Sequence, residues 1–311
     1  MNYESTKVIV KEPFKKRVTE KLKDIRRGFR HITTGWVLLY IFMFALSLFC
    51  LLPIVYMISS SLKPYDELFY FPPRFFAEKP TLDNFTNLFA SLSNSTVPFT
   101  RYLFNSIVLT VGTVAGTCMV CSMGAYGLSK FKIPGKDLIF NIIIATLMFS
   151  AYVTRIPSFL VISNMGLLDS YWGIIITSVG ASGNFFLMKQ FIDQFPYELM
   201  EAARIDGAGE MRIFLKIVRP AQKPALSALI VFSFVSSWND YFTPLIFLTS
   251  QSMRTLPLAL QSLAGGAGAA SLATAGIMSA ASLLMTLPVV VIFVFMQRKV
   301  IETMTYAGIK G

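Results

Sequence analysis

Very few residues in this 311-residue chain could make or break a bond, and their spacing argues against it. His31 is the only histidine. That excludes a histidine-based metal cluster, and its basic N-terminal surroundings do not suit a serine–histidine relay. Cys118 and Cys121 form a Cys-x-x-Cys pair, but one helical turn apart inside an apolar run, and Cys50 sits in another. Thiols so placed read as buried packing groups rather than redox or metal ligands. Gly135-Lys136 is followed by Asp137 and lacks the upstream glycine of a phosphate-cradling loop. The chain therefore reads as a non-enzyme that binds no metal or cofactor itself. Its polar chemistry is concentrated in a charged run at 198–220 and in Asp240 with its neighbours Trp238, Asn239 and Tyr241.

Both places are framed by apolar sequence. Mean hydropathy is +0.59 and charged residues make up 14%, against about 25% in an average soluble domain. Uncharged runs cover 36–61, 102–129, 138–154, 170–188, 224–246 (broken only by Asp240) and 255–297. A membrane crossing takes about 20 residues, so each run can supply one if the third continues past Arg155 and the last begins near Ser271. The expected fold is an all-α membrane protein of six spans over 36–311, behind a basic segment at 1–35. The first run is not a signal peptide, because it starts late, is too long and lacks a small-residue cleavage site.

Cationic residues orient the chain. Ten Lys/Arg lie in the first 35 residues, three at 130–136, six at 189–223 and three in the tail, leaving six of the 28 elsewhere. Positive loops stay inside, so both termini and the 198–220 run are expected in the cytoplasm. The net charge of +11 thus reports topology and lipid headgroups rather than nucleic acid, since the basic 7–30 stretch leads straight into a span. The 62–100 connection, with Pro64, Pro72, Pro73 and Pro80, and the glycine–alanine run 264–270 are expected outside. Asn84-Phe-Thr86 and Asn94-Ser-Thr96 match glycan acceptors by accident.

The charged run reads as two short helices joined by a glycine turn. Pro196 suits a first helical position, Glu198 the acid-favouring first turn, and Ala202 and Ala203 are strong helix formers of little bulk. Asp206-Gly207-Ala208-Gly209 stops the helix. Glu210 opens a second, with Lys216 and Arg219 in its last turns and Pro220 at its end. From Pro196 to Asp206 is about 16 Å. Leu199, Ala202, Ala203, Ile205, Ile213, Phe214 and Ile217 supply apolar surface to bury. An amphipathic hairpin lying on lipid is the competing reading. Six bases and five acids over 189–223 suit a protein groove better than an anionic membrane.

Asp240 is the only acid well inside a run, and such a residue faces a bundle interior or a watery path by default. Trp238 and Tyr241 suit sugar faces, and Asn239 and Asp240 suit hydroxyls, with Asn184 a further candidate. Asp240 equally suits a partner-subunit pair or a solvated place near the outer interface. Arg155, near the outer end of the third run, suits snorkelling.

Glu201-Ala202-Ala203, followed by Asp206-Gly207-Ala208 and closed by Ile217-Val218-Arg219-Pro220, resembles the signature loop of ABC-importer permeases, although Arg219 stands where leucine is common. Trp238-Asn239-Asp240-Tyr241-Phe242 with Pro244-Leu245, Gln297-Arg298 and the closing Ala307-Gly308-Ile309-Lys310-Gly311 are similar to the maltose-permease-like carbohydrate group, on the side of its smaller permease subunit. The resemblance spans roughly 36–311. It implies a type I importer in a bacterial plasma membrane. This chain would pair with a second six-span permease, an ABC ATPase dimer carrying ATP and Mg, and an extracellular solute-binding protein that delivers a sugar. Residues 190–222 would be the coupling loop, Glu201 the acid facing an ATPase base, Gly207 the turn, and Ala202 and Ala203 close contacts, with Glu198, Asp206, Gly209 and Pro220 in the same loop. Glycerol phosphate or another polar solute is the alternative cargo. A secondary transporter would want more intramembrane ionisable groups than one Asp.

Overall fold

The computed structural model describes residues 34–93, 97–265 and 274–308, and every regular element among them is helical. The chain divides into two compact units between Tyr56 and Met57. Nearly all of segment 1–35, including His31, lies outside the described residues, as do Asn94, 266–273 and the last three residues.

The first unit holds most of helix α1, Thr34–Ser61, whose most apolar stretch has mean hydropathy 2.6. A helix apolar on every side is a span rather than a surface helix. Cys50, expected to be buried with the other thiols, is instead exposed on it. Its neighbours along α1 are exposed apolar side chains too, so this thiol sits on a lipid-type surface, not in a core.

The second unit is organised around α3, Phe99–Lys130. Against it pack α6 and α7, Tyr171–Val179 and Ser182–Asp193, and α11, Lys223–Asn239. The last helix, α14 (Ala275–Gly308), lies along α11 and α2, Asp83–Ser93. Two glycines one turn apart on α3 leave room for side chains of α6. A methyl group on Gly112 would lie 2.8 Å from Ile175, and one on Gly116 2.6 Å from Val179. Small residues four apart let membrane helices touch through their backbones. Cys121 is buried here and Cys118 half-buried, both free.

Three described helices are long and apolar enough to cross a membrane: Thr34–Ser61, Phe99–Lys130 and the Ala275–Val300 part of α14. A fourth candidate is the α6–α7 pair, bent by 46°. The runs expected as third and fifth spans each fold as two helices. One gives α4, Lys136–Thr146, and α5, Ala151–Asn164; the other gives α11 and α12, Phe242–Phe247. None of these pieces alone reaches the ~20 residues of a crossing. The breaks fall where side chains cap new helices. Ser150 Oγ accepts the Tyr152 amide at 3.4 Å, and Asp240 opens α12 as described below. The 255–297 run likewise yields α13, Leu256–Gly265, ahead of α14. Asn84 is buried, its Nδ2 donating to the carbonyls of Ser61 (2.9 Å) and Lys63 (2.8 Å).

Candidate functional site

The charged run folds as the expected hairpin, between α7 and α11. Pro196 is the cap rather than the first helical residue, and α8 runs Tyr197–Ile205. Its end is closed by backbone hydrogen bonds. The amides of Gly207 and Ala208 donate back to Arg204 O (3.0 Å) and Ala203 O (2.9 Å), a paired closure that needs a left-handed residue between. Gly207 supplies it, at φ 79°. Gly209 has φ −70° and open space around it, so a side chain would fit there. The second helix is interrupted. Glu210–Ile213 (α9) gives way to a π-turn at Phe214–Val218, and Arg219–Ala221 (α10) leads into α11. Pro220 does not stop the chain's helical course there, because it sits in a first turn where its missing N–H is no loss.

One face of the hairpin is fused to its own protein. Met200, Ala203, Ile213, Phe214 and Val218 are buried with Cys121, Ala125, Tyr126, Met188 and Ile192. Polar links reinforce the seam. Arg204 Nε donates to Glu210 Oε1 at 2.7 Å, and Tyr126 OH, near the end of α3, donates to Glu210 Oε2 at 2.9 Å. Arg204 also donates to Tyr197 OH at 3.1 Å, and Lys130 Nζ to Phe195 O at 2.7 Å. The Arg204 guanidinium and then the Tyr126 hydroxyl hold the Glu210 carboxyl below its ordinary pKa, while the same carboxylate raises that of Arg204. Sequence reasoning assigned Glu210 only a helix start; nothing along the chain links it to Tyr126, 84 positions away.

The opposite face is open. Glu198, Glu201, Ala202 and Asp206 are exposed, with Leu199 at 52% and Ile205 at 86%. The two alanines therefore part ways: Ala202 is presented outward, whereas Ala203 packs inside this chain. Apolar patches rimmed by charge on an otherwise satisfied element mark protein-binding surfaces.

The second polar cluster is dispersed. Trp238 is buried, stacked on Phe234 at 5.8 Å, and its indole N–H donates to Met285 O at 3.0 Å. Asn184 donates to Ser233 Oγ at 3.2 Å, tying α7 to α11. Asp240 leaves the helix and caps the next: Oδ1 accepts the amides of Phe242 (3.1 Å) and Thr243 (3.0 Å), and Oδ2 accepts the Thr243 hydroxyl. Arg155 donates to that hydroxyl at 2.6 Å rather than reaching free to an interface. Only Asn239 and Tyr241 line an open cleft, of about 420 Å³, opposite Gln261, Met278, Ser282 and Thr286. Ser282 and Thr286, four residues apart, place two hydroxyls on one face of α14, beside Met278. No charged side chain lines this cleft.

Apolar helices of membrane length, with a charged hairpin carrying an open apolar–acidic face, are the features of an all-α membrane protein. The chain belongs to the family of binding-protein-dependent transport system inner membrane components, whose pattern matches residues 28–306. One relative is the arabinooligosaccharides transport system permease protein AraQ of Bacillus subtilis (strain 168). It is 33% identical over 277 residues, 88% of this chain and 96% of the relative. Another is the sn-glycerol-3-phosphate transport system permease protein UgpE of Yersinia enterocolitica, 37% identical over 209 residues, 67% of this chain and 74% of the relative. The fold is similar to a chain of a bacterial ABC transporter involved in the import of the acidic polysaccharide alginate. The TM-score is 0.70 at 24% identity, with 93% of this chain and 98% of that chain covered.

Proposed function

We propose that this chain is a pore-forming permease subunit of an ATP-driven importer for a sugar or oligosaccharide, with residues 196–219 as the lever that couples it to an ATPase. The observation that carries the reading is the two-faced hairpin: one face welded to α3 and α7, the other exposing Leu199, Ala202 and Ile205 among Glu198, Glu201 and Asp206. A rigid knob of this kind transmits displacement instead of absorbing it. The partners are an ABC ATPase dimer that holds ATP and Mg, a second six-span permease and an extracellular solute-binding protein. The hairpin and both termini face the cytoplasm of a plasma (inner) membrane, an orientation that the distribution of Lys and Arg supports. The neutral lining of the cleft beside Asn239 and Tyr241 favours hydroxyl-rich cargo. The relatives named for sn-glycerol 3-phosphate support a second reading, but a phosphate would want Arg or Lys in its path.

The test is transport by the assembled complex in proteoliposomes. Glu201→Lys should insert and assemble, yet lose binding-protein-stimulated ATP hydrolysis and uptake. Normal uptake by a correctly inserted Glu201→Lys complex sinks the lever, and competition of uptake by sn-glycerol 3-phosphate but by no oligosaccharide sinks the sugar assignment.

A further inference from the structure

Residues 62–82 leave α1 and fold back onto its last turn as a strap. The Thr81 amide donates to Leu62 O at 2.8 Å, and Asn84 fastens the return to the carbonyls of Ser61 and Lys63. Glu67 braces the middle, its two carboxylate oxygens accepting the amides of Glu78 and Lys79 at 3.0 Å each. Lys63 Nζ donates to Arg74 O. The decisive link is Ser59, whose hydroxyl donates to Phe75 O at 2.8 Å and accepts the Ala77 amide at 3.1 Å. Phe76, between those two pinned residues, is thereby held at the level of Ser59, inside the last turn of α1.

The strap carries an unusual amount of bare aromatic surface: Phe71 is 95% exposed, Phe76 67%, Tyr65 57% and Tyr70 51%. Lys79 and Arg74 are exposed beside them, Arg74 over the Tyr70 ring at 5.0 Å and ion-paired with Glu78. The 28 residues of α1 extend about 42 Å. The hydrocarbon of a bilayer is about 30 Å thick, and about 40–45 Å with its headgroups. The last turn of such a helix therefore lies in the headgroup layer, and Ser59 fixes the strap at that depth. Aromatic side chains with neighbouring cations are at home there, rings at the headgroup boundary and long basic stems reaching phosphates.

We propose that residues 65–79 form an interfacial anchor that lays Tyr65, Tyr70, Phe71 and Phe76 into the headgroup layer around the end of the first span, with Lys79 on lipid phosphate and Arg74 kept by Glu78 at the same level. Continuity with α1 favours lipid as the occupant over a soluble partner, because the strap is pinned to the helix's last turn. The hydrogen-bonded braces leave little entropy to lose on insertion. This assignment needs only that α1 crosses the membrane; it does not depend on the cargo or on the coupling hairpin.

The experiment uses the assembled complex in phosphatidylethanolamine–phosphatidylglycerol vesicles, with Phe76→Trp and, separately, Phe71→Trp. Emission of the parent's Trp36, Trp172 and Trp238 is subtracted. The added emission should lose most of its intensity when the lipids are brominated near the glycerol end of their acyl chains, and resist aqueous iodide, with or without solute-binding protein. Added emission quenched by iodide and indifferent to brominated lipid overturns the anchor. So does emission shielded only when the solute-binding protein is added, or untouched by either quencher, since each places the rings against protein or water. Uptake assays are unaffected by which of these outcomes holds, so failure here leaves the proposed transport function standing.

Discussion

Replacing Glu210 by alanine tests how the hairpin is held. The substitution removes both acceptors in the Arg204–Glu210–Tyr126 link. Tyr126 is 5% exposed, and leaving its hydroxyl unpaired costs about 1–3 kcal/mol. The Arg204 pair is shallow, its side chains 31% and 40% exposed, and solvent screening limits it to at most about 1 kcal/mol. Together these amount to about 1–4 kcal/mol of local stability, a rise of about 5- to 700-fold in the population detached from α3. Hydrogen exchange reads that population directly when opening is fast. The amides to follow are Ala208, Arg212 and Ile213, bonded to Ala203 O, Gly209 O and Gly209 O. They should exchange faster by that factor in Glu210→Ala. In Glu198→Ala, which alters an exposed carboxylate on the far face, they should not change. Equal protection in the two variants would refute the link. The pH dependence has a definite sign. Because the folded carboxyl is held below its unfolded value, its contribution is complete above the ordinary glutamate pKa of about 4.3 and disappears as pH falls through the lowered value. Protection of the hairpin should thus be flat through neutrality and fail only in acid.

Three further outcomes follow from geometry. Gly207→Ala, at φ 79°, should cost about 1–2 kcal/mol in thermal or exchange stability, whereas Gly209→Ala, at φ −70° in open space, should be neutral or slightly stabilising. Asp240→Ala removes the cap of α12 and should lower stability by about 1 kcal/mol; Asp240→Asn should largely restore it with an unchanged transport KM, and a raised KM would return Asp240 to the cargo path. Gly276→Ala places a methyl 2.3 Å from Asn84 Oδ1, forcing Asn84 off Ser61 and Lys63 at about 1–3 kcal/mol; a melting temperature equal to the parent's would count against this contact.

Class, helical content and the hairpin were written in local sequence. Uncharged runs near 20 residues admit few structures besides helices across lipid, since backbone groups must bond within their own segment. Proline, an acidic first turn, two alanines and a left-handed glycine specify α8 and its end through nearby residues, so a helix from Pro196 to Asp206 and the turn at Gly207 were legible in advance, each end of the helix to within one residue. Decided by tertiary structure were the things that depend on distant groups meeting. Ala203 turned inward and Ala202 outward because α3 and α7 occupy one side of the hairpin. Glu210 became a clasp because Tyr126, on another helix, arrives within 2.9 Å. Asp240, alike in sequence to a pathway acid, spends its oxygens on two amides and a hydroxyl because the helix breaks beneath it. A residue type fixes what a side chain is able to bond. Only the packing of helices fixes which partner reaches it first, and so which acids cap, which clasp and which stay open to a partner.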